Sequence, residues 1–333
     1  MGNVLGLLAL VFGGSTVNSA PAPIIDVHLH AEAHDEEGPP PQVLCAPYEQ
    51  WPARDAAEPI EHYIDDAFKK PTCAKPLQSA RSDAELRDRS LAKLKRYNIT
   101  AVTSGMPDRV EEWRAAAPNR IISAVFFGVS YWPTIEELRK LHAQGRLKVM
   151  GEILTEYGGT PPNDPKLEPY YALAEQLDIP VGIHVGLGPP GTSYFATPGY
   201  RMRYSSALQL EDVLVRHPRM RIYVMHAGWP LGDDMVGLMY SHPQVYADIG
   251  VIDWVLPKPE FRAYLKRLID AGFGKRIMFG SDQMVWPDAI DAAVQEIATA
   301  KYLNAAQKRD ILYNNAARFF RLGKGQPASS LAH

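Results

Sequence analysis

The chain has little cysteine: two residues in 333, too few for a disulfide-stapled mini-protein. It has no surplus of one charge, since 35 Lys and Arg face 38 Asp and Glu for a net −3. A phosphate backbone or an anionic membrane would find no electrostatic footprint on it, which argues against nucleic-acid binding as the main role. Beyond the N-terminus no stretch reaches roughly 18 uncharged apolar residues, so no spanning helix is expected. No GxGxxG follows the first β-type run, which weighs against a dinucleotide-binding doubly wound sheet. What is there suits a packed enzyme: 46% hydrophobic against 22% charged residues builds a sizeable core and excludes disorder. The length leaves two architectures, either two ordinary domains or one barrel of about 250 residues with chain to spare.

The ends differ from the middle. Val4 to Phe12 is an apolar run followed by small residues to Ser19-Ala20 and then Pro21, the pattern of a secretory signal peptide over 1–20, although no Lys or Arg precedes it. An ordinary buried N-terminal segment is the other reading. Export predicts a periplasmic or secreted protein with no membrane contact after cleavage; otherwise the chain is cytoplasmic. Cys45 and Cys73 both lie in the Pro-rich stretch 31–80. Export makes a bridge between them plausible, whereas a cytosolic location leaves two thiols.

From residue 80 onward short β-branched runs alternate with segments of helical spacing. The runs are 24–30, 99–106, 121–128, 147–154, 180–186, 221–228, 245–251 and 276–282. Near-continuous apolar strands alternating with helices mark a parallel sheet covered on its outer side. Eight of them with right-handed crossovers close most simply into an α/β fold, a single (β/α)8 TIM barrel over 21–323. A final helix is expected over Ala305–Leu322, and 324–333 reads as a flexible, frayed tail. The surplus length falls in two βα loops, loop 1 (31–80) and loop 5 (187–204).

Barrel chemistry collects at the C-terminal ends of the strands. Strand 1 ends in His28-Leu29-His30, strand 4 carries Glu152, strand 5 His184, strand 6 His226, and strand 8 ends in Asp282. Two histidines two apart on a strand share a face, about 7 Å apart along the chain, and can converge on one cation. Asp26 shares their parity and is expected as an outer partner. So many titratable groups in one mouth are costly to desolvate unless a cation organises them. The donors suit Zn²⁺ first, with Mn²⁺ and Fe²⁺ as alternatives.

Taken as an ordered set, DVHLH (26–30), GEI (151–153), GIHVG (182–186), VMHAG (224–228), FGSD (279–282) and NNAARFF (314–320) resemble the amidohydrolase superfamily of metal-dependent barrel hydrolases. The branch they look closest to includes the aminocarboxymuconate-semialdehyde decarboxylase-like enzymes, and the His217-Pro218 and His242-Pro243 lead-ins fit that branch, with both histidines structural. The resemblance implies that His28, His30, His184 and Asp282 hold one metal. It implies that His226 binds a second metal or donates to the substrate's oxyanion. Glu152 would bridge two metals, as in the TatD-like deoxyribonucleases, or orient a ligand histidine from behind. The continuation Leu154-Thr155-Glu156-Tyr157 departs from the TatD-like Gly-Leu-Asp pattern and tells against a nuclease. Lysine is absent at the strand-4 position, so a carbamylated-lysine bridge is not expected.

The expected activity is metal-assisted hydrolysis of an amide, ester or lactone in a small molecule. Asp282 would move the water's proton and His226 would stabilise the oxyanion. The alternatives are non-oxidative decarboxylation of an aromatic or unsaturated acid, and a non-catalytic secreted binding protein on a barrel scaffold. Arg201 and Arg203 of loop 5 are candidates to clamp a substrate carboxylate, and Trp254 of loop 7 to contact substrate. A homo-oligomer is compatible with the sequence.

Overall fold

The computed structural model describes residues 21–195, 197–323 and 326–333; the leader expected over 1–20 lies outside the described residues. Eight parallel strands stand side by side in chain order. They are β1 (Ile24–Ala31), β2 (Ile99–Gly105), β3 (Ile121–Phe127), β4 (Val149–Ile153), β5 (Val181–His184), β6 (Ile222–Met225), β7 (Val245–Asp248) and β8 (Ile277–Met278). Backbone bonds from Val27 N to Phe279 O (2.9 Å) and from Asp282 N to His28 O (2.7 Å) join the last strand to the first and close the barrel. This is the (β/α)8 architecture read from the sequence.

Eight helices clothe the barrel: α1 (Asp83–Arg96), α2 (Pro107–Ala116), α3 (Ile135–Ala143), α4 (Glu168–Leu177), α5 (Glu211–Arg216), α6 (Gly232–Ser241), α7 (Lys258–Leu268) and α8 (Ala289–Ala298). Their starts are written locally. Ser82 accepts from Glu85 N at 3.2 Å ahead of α1, and Thr134 accepts from Glu137 N at 3.1 Å ahead of α3, each satisfying a first-turn amide. The core has two layers. Residues such as Ile25, Val27, Val102, Ile122 and Tyr223 fill the barrel, while Leu29, Ile99, Ile121 and Leu173 pack between sheet and helices.

Two local departures from regular alternation position the site. In β1 the register steps three residues from Asp26 to Leu29 against two on β2, from Ala101 to Thr103. The extra residue is a bulge that reverses the alternation. Asp26 therefore does not share the face of His28 and His30, contrary to the parity expectation; it accepts from the backbone amides of His28 and Ser281, each at 3.0 Å. In β8 the ladder stops at Met278, short of the expected strand end at 282. The Phe279 amide goes to Ile311 O and the Ser281 amide to Asp26, so the chain leaves the sheet before Asp282.

The closing helix runs from Ala305 to Phe319, π-wound in its middle third and opened by an Asn304–Gln307 capping box. Beyond it the expected frayed tail is corrected. Ala328–Ala332 forms a 3-10 turn whose terminal alanines are buried with the barrel's inner layer. Lys148 Nζ donates to His333 O at 2.7 Å, and His333 Nε2 pairs with Asn119 Oδ1 at 2.9 Å. Small side chains let this turn enter the floor of the barrel, where apolar contact outweighs fraying. His217 proves structural, bound to Glu168 at 2.8 Å.

Loop 1 is strapped. Cys45 and Cys73 form a disulfide across 28 residues, and Val43–Leu44 pairs antiparallel with Leu77–Gln78. Tyr48, stacked on Trp51, donates to Ala67 O and fixes the loop's short helix. Phe68 meets Phe195 of loop 5 with ring centroids 6.5 Å apart. Among the described residues no helix is long and apolar enough to cross a membrane.

Candidate metal centre

Six side chains meet at the C-terminal mouth. His28 and His30 come from the end of β1, Glu152 from β4, and His184 from the last residue of β5. His226 follows β6 and Asp282 follows β8. None is more than 6% exposed.

Glu152 divides its oxygens between two pairs of histidines. Oε2 lies 3.7 Å from His28 Nε2 and 3.4 Å from His30 Nε2. Oε1 lies 3.9 Å from His184 Nε2 and 3.8 Å from His226 Nε2. Across from it, Asp282 Oδ1 is 3.0 Å from His30 Nε2 and Oδ2 is 3.8 Å from His226 Nδ1.

All four imidazoles turn the same nitrogen inward because the other is engaged. Nδ1 of His28 faces Asp248 Oδ2 at 3.3 Å, and Nδ1 of His30 faces Glu32 Oε1 at 3.3 Å. Nδ1 of His184 meets the Glu156 carboxylate, and Nδ1 of His226 donates to Gly250 O at 2.9 Å. Assigned from this network, the proton that each ring would keep when a cation displaces the other sits on Nδ1, and Nε2 is the atom that faces the centre.

The backbone is bent to reach this arrangement. His226 has φ 55° and Asp282 φ 45°, left-handed conformations that cost of order 1–3 kcal/mol in a non-glycine residue and persist only where surroundings over-determine them. Gly250 lets β7 pass close by: a Cβ there would stand 2.9 Å from His28 Nδ1 and 3.0 Å from the Asp282 Cβ.

The residues fit a divalent metal. Nε2 of His28 is buried with no hydrogen-bond partner. Donor atoms of His28, His30 and Glu152 lie within 4.8 Å of one another, as do those of Glu152, His184 and His226, and those of His28, His226 and Asp282. The electrostatics agree. Burial opposes ionisation of Asp282, but the charges of His28 and His30 hold its carboxyl down at about 2. Burial likewise opposes the Glu152 charge, and His226 and His28 hold it well below the ordinary carboxylate range. Burial disfavours a charged His30, yet Glu32 and Asp282 raise it to about 9. A field of carboxylates this strong is one that a cation answers.

The other expected site residues are placed elsewhere. Trp254 is 2% exposed and donates its indole N–H to Ser281 O at 2.7 Å, so it braces the chain just ahead of Asp282 from within the core and does not face the mouth. Arg201 gives its guanidinium to the carbonyls of Pro198 and Tyr200, and Arg203 stacks on Tyr204, 4.8 Å from the ring centroid. Both arginines make their contacts within loop 5. Three carboxylates not among the sequence candidates, Asp248, Glu32 and Glu156, stand behind three of the imidazoles. Gln283, likewise not among them, accepts from His30 N at 2.9 Å.

A family model described as Amidohydrolase matches residues 25–322. The chain belongs to the amidohydrolase family. The match takes in all six residues of the centre, so this amidohydrolase carries its candidate ligands within the family's own span. Its fold is shared with solved structures of low identity. An uncharacterised TIM-barrel protein from Bordetella bronchiseptica aligns with TM-score 0.56 at 17% identity, over 74% of this chain and 86% of that one. A 5-carboxyvanillate decarboxylase from Sphingomonas paucimobilis aligns with TM-score 0.55 at 16% identity, over 90% and 99%. A probable 2-pyrone-4,6-dicarboxylic acid hydrolase from Acinetobacter baumannii aligns with TM-score 0.54 at 16% identity, over 90% and 100%. No curated protein matches the amidohydrolase chain.

Proposed function

We propose that this amidohydrolase is a metal-dependent hydrolase that adds water to the carbonyl of an amide, ester or lactone in a small molecule. The observation that carries the reading is the split of Glu152, whose two oxygens each face their own pair of Nε2 lone pairs. Such a carboxylate suits two divalent cations, zinc first on this mixed nitrogen and oxygen donor set. His28 and His30 would hold one with Asp282, and His184 and His226 the other, with Glu152 between. His226 is then a ligand, since its Nδ1 proton is committed to Gly250 O and its Nε2 has none to donate. Metal bound at such a centre acidifies water and polarises the scissile carbonyl.

The protein's own groups do the rest. Asp282 Oδ2 takes the proton of the attacking water and delivers it to the leaving nitrogen or oxygen. Loops 1 and 5, which meet at Phe68 and Phe195, would cover the mouth and exclude bulk water. Among the described residues, every cationic partner of Glu152, Asp282, Glu32 and Glu156 is an imidazole. A substrate neutral at its reacting end fits those surroundings better than one bringing a carboxylate. In the same reading the chain works outside the reducing cytoplasm, as a leader over 1–20 and the Cys45–Cys73 bridge suit.

The test is metal analysis of the purified protein joined to a panel of esters, lactones, amides and aromatic acids. The reading expects two equivalents of metal and a product carrying one oxygen from labelled water. Carbon dioxide released from an aromatic acid with no hydrolysis would replace it with a decarboxylase. A protein without metal or turnover on any of these would replace it with a binding protein.

A further inference from the structure

Loop 4 carries two adjacent residues that approach one imidazole from opposite sides. Thr155–Gly158 is a 3-10 turn, released by Gly159 at φ 84°, and its middle residues are Glu156 and Tyr157. Glu156 is fully buried and meets Nδ1 of His184. With the proton held there, Nε2 keeps its lone pair. The Tyr157 hydroxyl lies 3.4 Å from that Nε2, and this is its hydrogen-bond partner among the described residues. An imidazole lone pair given to a metal ion no longer accepts a hydrogen bond. The Tyr157 O–H is then left at the centre's edge with nothing to donate to.

The phenol is held there by packing. Its ring lies 5.0 Å from that of His184 and meets Tyr200 edge-on at 5.5 Å. Loop 5 leaves room for it at Gly188, where a Cβ would come within 2.9 Å of Tyr157 Cε1 and 3.0 Å of the hydroxyl. Gly188 N in turn donates to the Tyr200 hydroxyl at 3.3 Å, a bond within loop 5 that holds Tyr200 against the Tyr157 ring.

We propose that Tyr157 is a catalytic residue, donating its hydroxyl hydrogen to the substrate's reacting carbonyl oxygen, a role that rests on the hydrolytic reading above. As the water oxygen bonds to the carbonyl carbon, the carbonyl π pair moves onto its oxygen and the Tyr157 hydrogen bond strengthens. When that pair returns, the bond to the leaving group breaks, and the leaving group takes the proton carried by Asp282. Tyr157 keeps its own proton throughout. The substrate class follows: a carbonyl compound whose oxygen can reach the loop 4 side of the mouth.

Tyr157→Phe keeps the ring and removes only the donor. Metal per chain and thermal midpoint should be unchanged, while kcat for the best ester or lactone falls about 10- to 100-fold with KM little moved. A second arm needs no turnover. Acetohydroxamic acid titrated into the cobalt-loaded protein, followed by visible absorption, should bind about tenfold more weakly to Tyr157→Phe. Equal hydroxamate affinity would overturn the proposal, and so would loss of metal from Tyr157→Phe, which would make Tyr157 a support of the site. If no carbonyl compound is turned over by the wild type, the hydrolytic reading fails, and the hydroxamate arm still decides whether Tyr157 donates at the centre.

Discussion

The carboxylate of Asp248 stands 3.3 Å from Nδ1 of His28, both side chains fully buried. A residue at the end of β7 thus decides which nitrogen of a β1 imidazole is available. Asp248→Ala frees that ring to turn or change tautomer, and metal affinity should fall about 10- to 100-fold. Equilibrium dialysis with zinc and a competing chelator measures it. An unchanged affinity would show that Asp248 is bystander packing.

Asp282→Asn keeps the shape of the side chain and removes its ability to take a proton. Turnover should fall by at least about 100-fold on whichever substrate the panel yields. Steady-state kinetics on protein of matched metal content make the comparison. Near-wild-type kcat would exclude Asp282 as the proton carrier.

Asp253 is 2% exposed and both its carboxylate oxygens lack partners. Burial, with the charges of Asp26 and Asp248 adding to it, pushes this carboxyl well above the ordinary range. A carboxyl raised in the folded state favours folding while protonated, and that contribution is lost as pH rises through the folded-state value. Asp253→Asn, permanently neutral, should keep its thermal midpoint better than the wild type as pH rises above the ordinary carboxylate range. Parallel melting curves across pH would count against this if the two proteins tracked each other.

The Cys45–Cys73 bridge closes a 28-residue stretch of loop 1, the proposed cover of the mouth. Replacing both cysteines with alanine should lower stability by about 2–4 kcal/mol on the chain-entropy view. It should also raise KM more than it lowers kcat, because the strap orders loop 1 and not the candidate centre. Denaturant melts and kinetics on the double variant read both effects. A variant with full stability and an unchanged KM would leave the bridge without a role in the cover.

The six residues of the candidate centre were legible because each lies in or at the end of an apolar run, and strand ends are where barrel chemistry gathers. Their supports were harder to read. Asp248 ends its own strand and Glu32 continues the spacing of His28 and His30, so both carried a signal. Glu156 lies in a loop turn with no period to mark it. The β1 bulge misled the reading of Asp26, because parity holds only while pairing is regular and a single extra residue inverts it. Arg201, Arg203 and Trp254 find protein partners for a related reason. A polar or aromatic side chain in a loop is as able to satisfy a nearby carbonyl as to meet a substrate, and composition does not say which it will find.

The Ala328–Ala332 turn under the barrel has a consequence for traffic. With the floor stoppered and the inner layer filled, reactant and product must both use the C-terminal mouth. A departing product therefore competes with the next arrival for one passage. The cover that keeps water out also sets how quickly the vessel can be emptied.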